Sequence, residues 1–282
     1  MIHSMSQLSL LGRPRRLIAP ITEAIDAAYQ GNRWLAATGF FFLLCLIPTG
    51  LAYLLDERQL NGISVWIKPM KFQASLGVHL LTVSLLLGFL QEEKRFGRMI
   101  FGLAMAMIVM SLFEAIYIAF QAAQAQASHY ALGTPFQAMM YRLMGVGAVT
   151  LVVTTSWIGV LILRRPHGPK VLTTAAGLGL FLGGLLGGIT GAWMAAQPGH
   201  WVGGVASDAG GLPIVGWARD GGDLRVAHFF GLHLMQALPL LALLLWAMKT
   251  QTWRVPLYTG AALGTLLTAV TFVQAISGRP FL

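Results

Sequence analysis

Residues 99–123, MIFGLAMAMIVMSLFEAIYIAFQAA, contain a single charged side chain, that of Glu114. A helix rises about 1.5 Å per residue, so a stretch of this length can cross the roughly 30 Å hydrocarbon core of a bilayer. Six more stretches are of this kind, and the seven predicted spans are 35–55, 72–90, 99–123, 139–163, 171–196, 226–248 and 257–277. No stretch shows the alternation of a transmembrane β-strand. The sequence therefore predicts an all-α, polytopic membrane protein built as a bundle of seven transmembrane helices.

The composition of the whole chain agrees with this class. Of its 282 residues, 56% are hydrophobic and only 10% are charged, whereas a soluble domain carries about 25% charged residues. This excludes a soluble enzyme and a disordered tail, and the single cysteine excludes a disulfide-stabilised secreted domain. The net charge of +9 does not indicate a nucleic-acid partner, because the basic residues are spread over loops between apolar spans.

The distribution of Lys and Arg predicts the orientation of the bundle. Twelve of the 19 lie in the N-terminal arm and in the loops after the second, fourth and sixth spans. The positive-inside rule places these segments in the cytoplasm. We therefore expect a multi-pass protein of the inner (cytoplasmic) membrane, with its N-terminus inside and its C-terminus outside.

Two segments outside the spans stand out. Residues 1–34 form a basic arm, which we expect either to lie on anionic lipid as an amphipathic segment or to act only as a tail that sets topology. The remainder, 35–282, is the transmembrane domain. Its outer loop 197–222 is rich in glycine and contains two tryptophans. Loops this long are usually functional or disordered. The tryptophans indicate that this loop either lies on the membrane surface or folds over a pocket, and we expect the second, a lid.

Polar side chains are concentrated in the outer half of the predicted bundle. The second span carries one polar stripe at helical spacing, formed by Lys68, Lys71, Ser75, His79 and Thr82. By the rise per residue, His79, Glu114 and His233 all lie roughly 12–16 Å below the outer surface. Ionisable residues inside spans tend to mark function. Because a channel needs polar lining on both sides of the midplane, the pattern favours a pocket that opens to the outside.

The residue types allow several kinds of site. In a metal or haem site, the candidate ligands are His79, His228 and His233. Glu114 and Asp223 are the candidate catalytic groups, which would orient or deprotonate a zinc-bound water. The candidate substrate-binding residues are Lys71, Arg142, Arg225, Gln121 and Gln236. The expected substrate is lipid-like, quinone-like or a small anion, since positive helix N-termini and basic side chains crown the outer end.

Other interpretations use the same residues. The protein could be a non-catalytic proton-coupled transporter or a ligand sensor, or the histidines could only hold helices together by hydrogen bonds. In the fifth span, Gly179, Gly183, Gly187 and Gly191 recur every four residues. This spacing predicts close helix packing rather than a ligand groove. The sequence does not indicate an oligomeric state.

Two strings carry a resemblance to known families. Trp66-Ile-Lys-Pro-Met-Lys-Phe72 and Gly222-Asp-Leu-Arg-Val-Ala-His-Phe-Phe-Gly-Leu-His233 resemble a family of bacterial seven-helix membrane proteins for which we know no activity. Ser75-x-x-x-His79 is similar to an element of the ceramidase and adiponectin-receptor group, whose members are zinc hydrolases. That resemblance implies a zinc site. However, the group's second histidine pair has i,i+4 spacing on the last helix, whereas here His228 and His233 are five residues apart on the sixth.

Overall fold

The computed structural model describes residues 19–282, with side chains from Thr22 onward. The helices are α1 (Ala19–Leu55), α2 (Ile67–Leu87), α3 (Glu92–Arg95), α4 (Arg98–Ala123), α5 (Pro135–Arg164), α6 (Lys170–Ala195), α7 (Leu224–Ala247) and α8 (Arg254–Ile276). Two short antiparallel ribbons pair β1 (Gln59–Leu60) with β2 (Ile63–Ser64) and β3 (Trp201–Val202) with β4 (Gly222–Asp223). Within the described residues, seven helices are long and apolar enough to cross a membrane. The predicted all-α bundle of membrane-spanning helices is confirmed at this level.

The first helix contains a break that the sequence analysis did not predict. Asn32 is extended, with φ −160° and ψ 106°, and its Oδ1 accepts hydrogen bonds from the backbone N–H groups of Trp34 and Leu35. An Asn side chain bonded in this way caps a new helix. A second helical segment therefore begins at Asn32 and continues to Leu55. Residues 19–31, predicted as part of the arm, form a separate helical segment. The rest of the arm, with its predicted interfacial role, lies outside the described residues.

Glycines bring two groups of helices into close contact. α1 packs on α2 where Gly39 and Gly77 meet, since a Cβ on Gly77 would lie 3.0 Å from the Gly39 carbonyl oxygen. α6 packs on α5, where a Cβ on Gly159 would lie 2.6 Å from the Gly177 carbonyl oxygen. The opposite face of α6 packs on α7 through Gly179 and Gly183. The packing role predicted for the glycine repeat is thus confirmed.

The helices are arranged in an order that leaves α2 and α7 nearly apart. α2 packs on α1 and α4, α4 on α5, α5 on α6, and α6 on α7, while α8 covers α7. Among the described residues, α2 and α7 have little backbone contact. The main apolar core joins α2, α4, α5 and α6 through fully buried side chains such as Leu80, Met107, Ile158 and Leu180. Polar groups collect beside this core, at the ends of the helices joined by the loop between α6 and α7.

Candidate functional site

Arg225 holds the long loop between α6 and α7 against the bundle. It follows Asp223, which caps α7 by accepting a hydrogen bond from the Arg225 backbone N–H. The guanidinium binds the Asp223 carboxylate through Nε at 3.0 Å and Nη2 at 2.7 Å. It also binds Asp208 through Nη1 at 2.9 Å and the carbonyl oxygen of Gly216 through Nη2 at 2.7 Å. Arg225 is therefore fully occupied by protein groups.

Asp223 is also fully bonded to protein groups. The residue is 2% exposed, and besides the bonds from the backbone N–H and the guanidinium of Arg225, Oδ2 accepts a hydrogen bond from the backbone N–H of Ala218. The predicted cap is present. Both carboxylate oxygens therefore accept hydrogen bonds from protein donors. The geometry therefore gives the predicted catalytic Asp223 a structural role.

The same loop reaches α2. Lys71 donates from Nζ to the carbonyl oxygen of Val215 at 2.8 Å, and His200 Nε2 lies 3.3 Å from Asp208 Oδ1. We call Lys71, His200, Asp208, Asp223 and Arg225 the outer network. The loop thus contacts the first turns of both α2 and α7. Arg225 is thus paired with two carboxylates, whereas Lys71 donates one hydrogen bond to a neutral loop carbonyl.

Electrostatics in the outer network favours neutral His200 and charged Asp208. Burial lowers the pKa of His200, although its hydrogen bond with Asp208 opposes this. Burial acts to raise the pKa of Asp208, but the hydrogen bond from His200 and the charge of Arg225 outweigh it and leave that pKa lowered. Asp208 thus stays ionised as the partner of Arg225.

A second group of polar side chains lies deeper and has unused hydrogen-bonding capacity. Glu114 of α4 is only 3% exposed, and its Oε2 has no hydrogen-bond partner among the described residues. On the same face of α4, Ser111 Oγ and Tyr117 Oη are also buried without a partner there. Buried polar atoms are nearly always paired, so three unpaired atoms at successive helical turns indicate a place where a ligand or water completes the bonding.

Lys68 and His129 face this group from other elements. The Lys68 ammonium forms no hydrogen bond among the described residues but interacts electrostatically with Glu114 and Asp208. His129, in the segment after α4, has its Nδ1 3.1 Å from Ser128 Oγ. Burial lowers its pKa, and the charges of Lys68 and His200 act in the same direction. We call Lys68, Glu114, Tyr117 and His129 the polar centre.

Aromatic rings and a glycine shape the polar centre. The ring of Phe72 lies 5.5 Å from that of His129, and Phe113 stacks on Tyr117 at 6.5 Å with an interplanar angle of 8°. From α5, Gly147 contributes no side chain, and its backbone lies directly against the Glu114 carboxylate. A donor (Lys68), groups that both donate and accept (Tyr117, His129) and a carboxyl group are therefore placed among flat apolar surfaces.

The predicted metal site is not assembled. Among the described residues, no group of three His, Cys, Asp or Glu side chains is arranged to hold an ion. His79 Nε2 lies 3.0 Å from Thr155 Oγ1, and His228 Nδ1 lies 3.0 Å from the Gly187 carbonyl oxygen. His233 is exposed and bonds to the carbonyl oxygen of Phe229. Each histidine thus contacts a different segment, and the zinc and haem hypotheses have no support in this geometry.

The remaining predicted substrate-binding residues also have other surroundings. Arg142 is exposed beside Met139 and Val146 and makes no hydrogen bond or ion pair with the described residues. Gln121 is buried and donates to the carbonyl oxygen of Ala127, which holds the chain where it leaves α4. Gln236 of α7 donates to Thr82 of α2 at 3.1 Å.

Sequence reasoning missed His200 and Asp208 as members of the outer network. Both lie in an irregular loop, where no helical periodicity relates them to Arg225. The chain has only ten acidic residues. This scarcity was one signal that could have marked Asp208 as a candidate partner of Arg225. Lys68 did appear in the polar stripe of the second span, although it was not assigned a role. Comparison of the chain with known protein families, curated proteins and solved structures finds no match.

Proposed function

We propose that this membrane protein binds a small quinone-like ligand in the polar centre, beneath the loop held by Arg225. The observation that carries the proposal is the buried Glu114 carboxyl group, which has no partner among the described residues and lies within electrostatic range of Lys68. A quinol offers a hydroxyl group that can donate to Glu114. Its second oxygen can accept from Lys68, and its flat ring suits the surroundings of Phe72, Phe113 and Tyr117.

The partners and positions of the basic residues favour a neutral ligand over an anion. Arg225 is paired with Asp208 and Asp223, Lys71 points to the loop carbonyl of Val215, and Arg142 lies exposed on α5. Within the polar centre, the one cation, Lys68, is balanced by Glu114. A net-neutral ligand with two hydrogen-bonding oxygens satisfies both without leaving an unpaired buried charge.

The proposed orientation places the polar centre in the outer half of the inner membrane, with the N-terminus in the cytoplasm and the C-terminus outside. The distribution of Lys and Arg supports it. Labelling of single cysteines with a membrane-impermeant maleimide, in a Cys45→Ala background, tests it. We expect intact cells to label a cysteine at exposed Ala206 and not one at exposed His167. The reverse pattern would contradict the orientation.

Binding of a tail-less benzoquinol to the protein in lipid nanodiscs tests the function. We expect saturable binding by calorimetry, reduced at least tenfold in affinity by Glu114→Gln and by Lys68→Met. The matched control is Glu93→Gln, an exposed acid in α3. No binding, or equal binding by all variants, would refute the proposal. A stoichiometric metal or a haem absorbance band that His79→Ala abolishes would also refute it.

Proton-coupled transport is a second candidate, favoured by polar contacts further along the bundle. His79 meets Thr155, and Thr82 meets Gln236, so polar pairs continue beyond Glu114 toward the other end of α2. Proteoliposomes loaded with a pH-sensitive dye test this candidate. Ligand-driven acidification that Glu114→Gln abolishes would favour transport, and binding without any proton movement would exclude it.

A further inference from the structure

The helices α2 and α7 are connected at two levels along their length. Between these levels, the described residues of the two helices have little backbone contact. At one level, adjacent loop residues bridge them, because Lys71 binds the carbonyl of Val215 and Arg225 binds that of Gly216. At the other level, Gln236 of α7 donates to Thr82 of α2. Both helices run in the same direction from the loop end.

The segments of α2 and α7 between these two connections are equal in length. Thr82 lies eleven positions after Lys71, and Gln236 lies eleven positions after Arg225. At the helical rise, each segment is about 16 Å long. We call the region between these two segments, where the described helices have little backbone contact, the α2–α7 window.

The rim of the window is formed by side chains that the bundle leaves exposed. Ser75 and Val78 share a face of α2 with Lys71 and Thr82, by steps of three or four residues. Phe229 and His233 share a face of α7 with Arg225 and Gln236 in the same way. All four rim residues are exposed. The rim is thus apolar at two positions and polar at two.

His233 is the informative member of the rim. It lies nine positions after the start of α7, about 14 Å along the helix and so within the hydrocarbon layer. Its ring stacks on Phe229 with centroids 3.8 Å apart, and its Nδ1 lies 2.7 Å from the Phe229 carbonyl oxygen. Since a carbonyl only accepts, Nδ1 carries the proton. A neutral ring then offers Nε2 as an acceptor with no partner among the described residues, and a polar group exposed to lipid at this depth is costly.

The window also lies next to the polar centre. Phe72, whose ring contacts His129, follows Lys71 in sequence and precedes Ser75 by less than one turn. The Ser75 hydroxyl donates to the Phe72 carbonyl oxygen at 3.3 Å. A ligand head passing Ser75 and His233 therefore reaches the wall of the centre within about one helical turn, while a hydrophobic tail can remain in lipid beside Val78 and Phe229.

We propose that the α2–α7 window is the lateral entrance by which a tailed, membrane-soluble quinol enters the polar centre from the bilayer. This inference rests on the proposed function and specifies its ligand as lipid-soluble. The hydroxyl of the quinol head donates to Nε2 of His233 on the way in, and the isoprenoid tail occupies the window in the bound state.

Substitutions that fill the window test the proposal in nanodiscs with two ligands. Ser75→Trp, or Val78→Trp if the first variant fails to fold, should weaken binding of a long-tailed quinol at least tenfold and leave binding of the tail-less quinol unchanged. Val153→Trp, at an exposed position on α5, is the matched control and should affect neither ligand. His233→Ala should slow association of the tailed quinol.

Each other outcome has a defined meaning. If the wild type binds neither quinol, the proposed function fails. If it binds both, and the window variants affect both equally or neither, the function stands and the lateral entrance is refuted. A single cysteine at Val78, in a Cys45→Ala background, that cross-links two copies of the chain would assign the window to a dimer interface and would also refute the entrance.

Discussion

Gly147 of α5 faces the carboxylate of Glu114 so closely that a Cβ at position 147 would lie 3.1 Å from Oε1. The absence of a side chain on one helix therefore makes room for a buried acid on another. Any methyl group there must push the carboxylate aside by a few tenths of an ångström. A substitution at position 147 can thus change the position of the Glu114 carboxylate without altering Glu114 itself.

Gly147→Ala should reduce quinol affinity while leaving the protein folded. The displaced Glu114 loses its alignment with the ligand, whereas the helix gains as much as about 1 kcal/mol from replacing glycine by alanine. Calorimetry and thermal unfolding in the same nanodiscs measure the two effects. Gly145→Ala, on the same helix with nothing within 4 Å of the added methyl, should raise the unfolding temperature slightly and leave affinity unchanged. Equal affinity for both variants would contradict the prediction.

Asp208→Asn should release the loop between α6 and α7. The substitution removes a charge-assisted bond with Arg225 and leaves the cation with one carboxylate fewer. We expect trypsin to cut at exposed Arg219 several-fold faster than in the wild type. Glu57→Gln, which changes an exposed acid outside this loop, is the control. An unchanged cleavage rate in Asp208→Asn would show that the ion pair does not hold the loop.

Attachment of the loop should weaken as the pH falls. The pKa of His200 and that of Asp208 are both lowered in the folded protein, so the detached loop binds more protons and acidification favours it. The contribution of His200 begins to be lost below its usual pKa of about 6.5, and that of Asp208 below about 3.9. Hydrogen-exchange protection of the loop amides at pH 7.5 and 5.5 measures the loss of the His200 contribution. His200→Gln should remove this difference between the two pH values, and protection that increases on acidification would contradict the prediction.

Gly184→Ala should destabilise the bundle. Its Cβ would overlap the Ser156 hydroxyl and lie 2.5 Å from the Val152 carbonyl oxygen, so α5 and α6 would have to separate. Overpacking of this kind costs about 1–3 kcal/mol, seen as a lower unfolding temperature in detergent. Gly102→Ala, where the methyl meets nothing within 4 Å, should not lower it.

Asn32→Ala should destabilise the start of the transmembrane part of α1 by about 1 kcal/mol, because it removes the cap that binds Trp34 and Leu35. Asn32→Asp keeps a capping oxygen and should restore most of the stability. Thermal unfolding of the two variants decides the point, and equal losses for both would mean that the cap is not the cause.

The sequence predicted the spans well because their signal is the length of apolar runs, a local property. The break at Asn32 was not predicted, because the sequence does not show that the Asn32 side chain binds the backbone of Trp34 and Leu35. The helical rise also placed His79, Glu114 and His233 at a common depth. It could not place them side by side, because their directions depend on how each helix is rotated by its neighbours.

The same distinction between local signals and contacts set by packing explains which parts of the candidate site could be predicted. Glu114 and Tyr117 were visible as polar residues one turn apart on α4, and the structure keeps them on one buried face. The partners of Arg225 could not be found from spacing, since Asp208 and Gly216 approach it through an irregular loop. Positive helix ends predicted an anion at the mouth, which stays a prediction; in the structure Arg225 pairs with Asp208 and Asp223, and Lys71 donates to a loop carbonyl.

The glycine contacts divide the bundle into two blocks that differ in how they can move. α1 and α2 are bound together through Gly39 and Gly77, and α5, α6 and α7 through the glycines on both faces of α6. Neither block can shear internally without backbone collision. We therefore expect relative motion between the blocks rather than within them, and among the described residues α2 is linked to the second block by the Thr82–Gln236 bond, the His79–Thr155 bond and the loop. The rigidity of α6 thus decides where the protein can open.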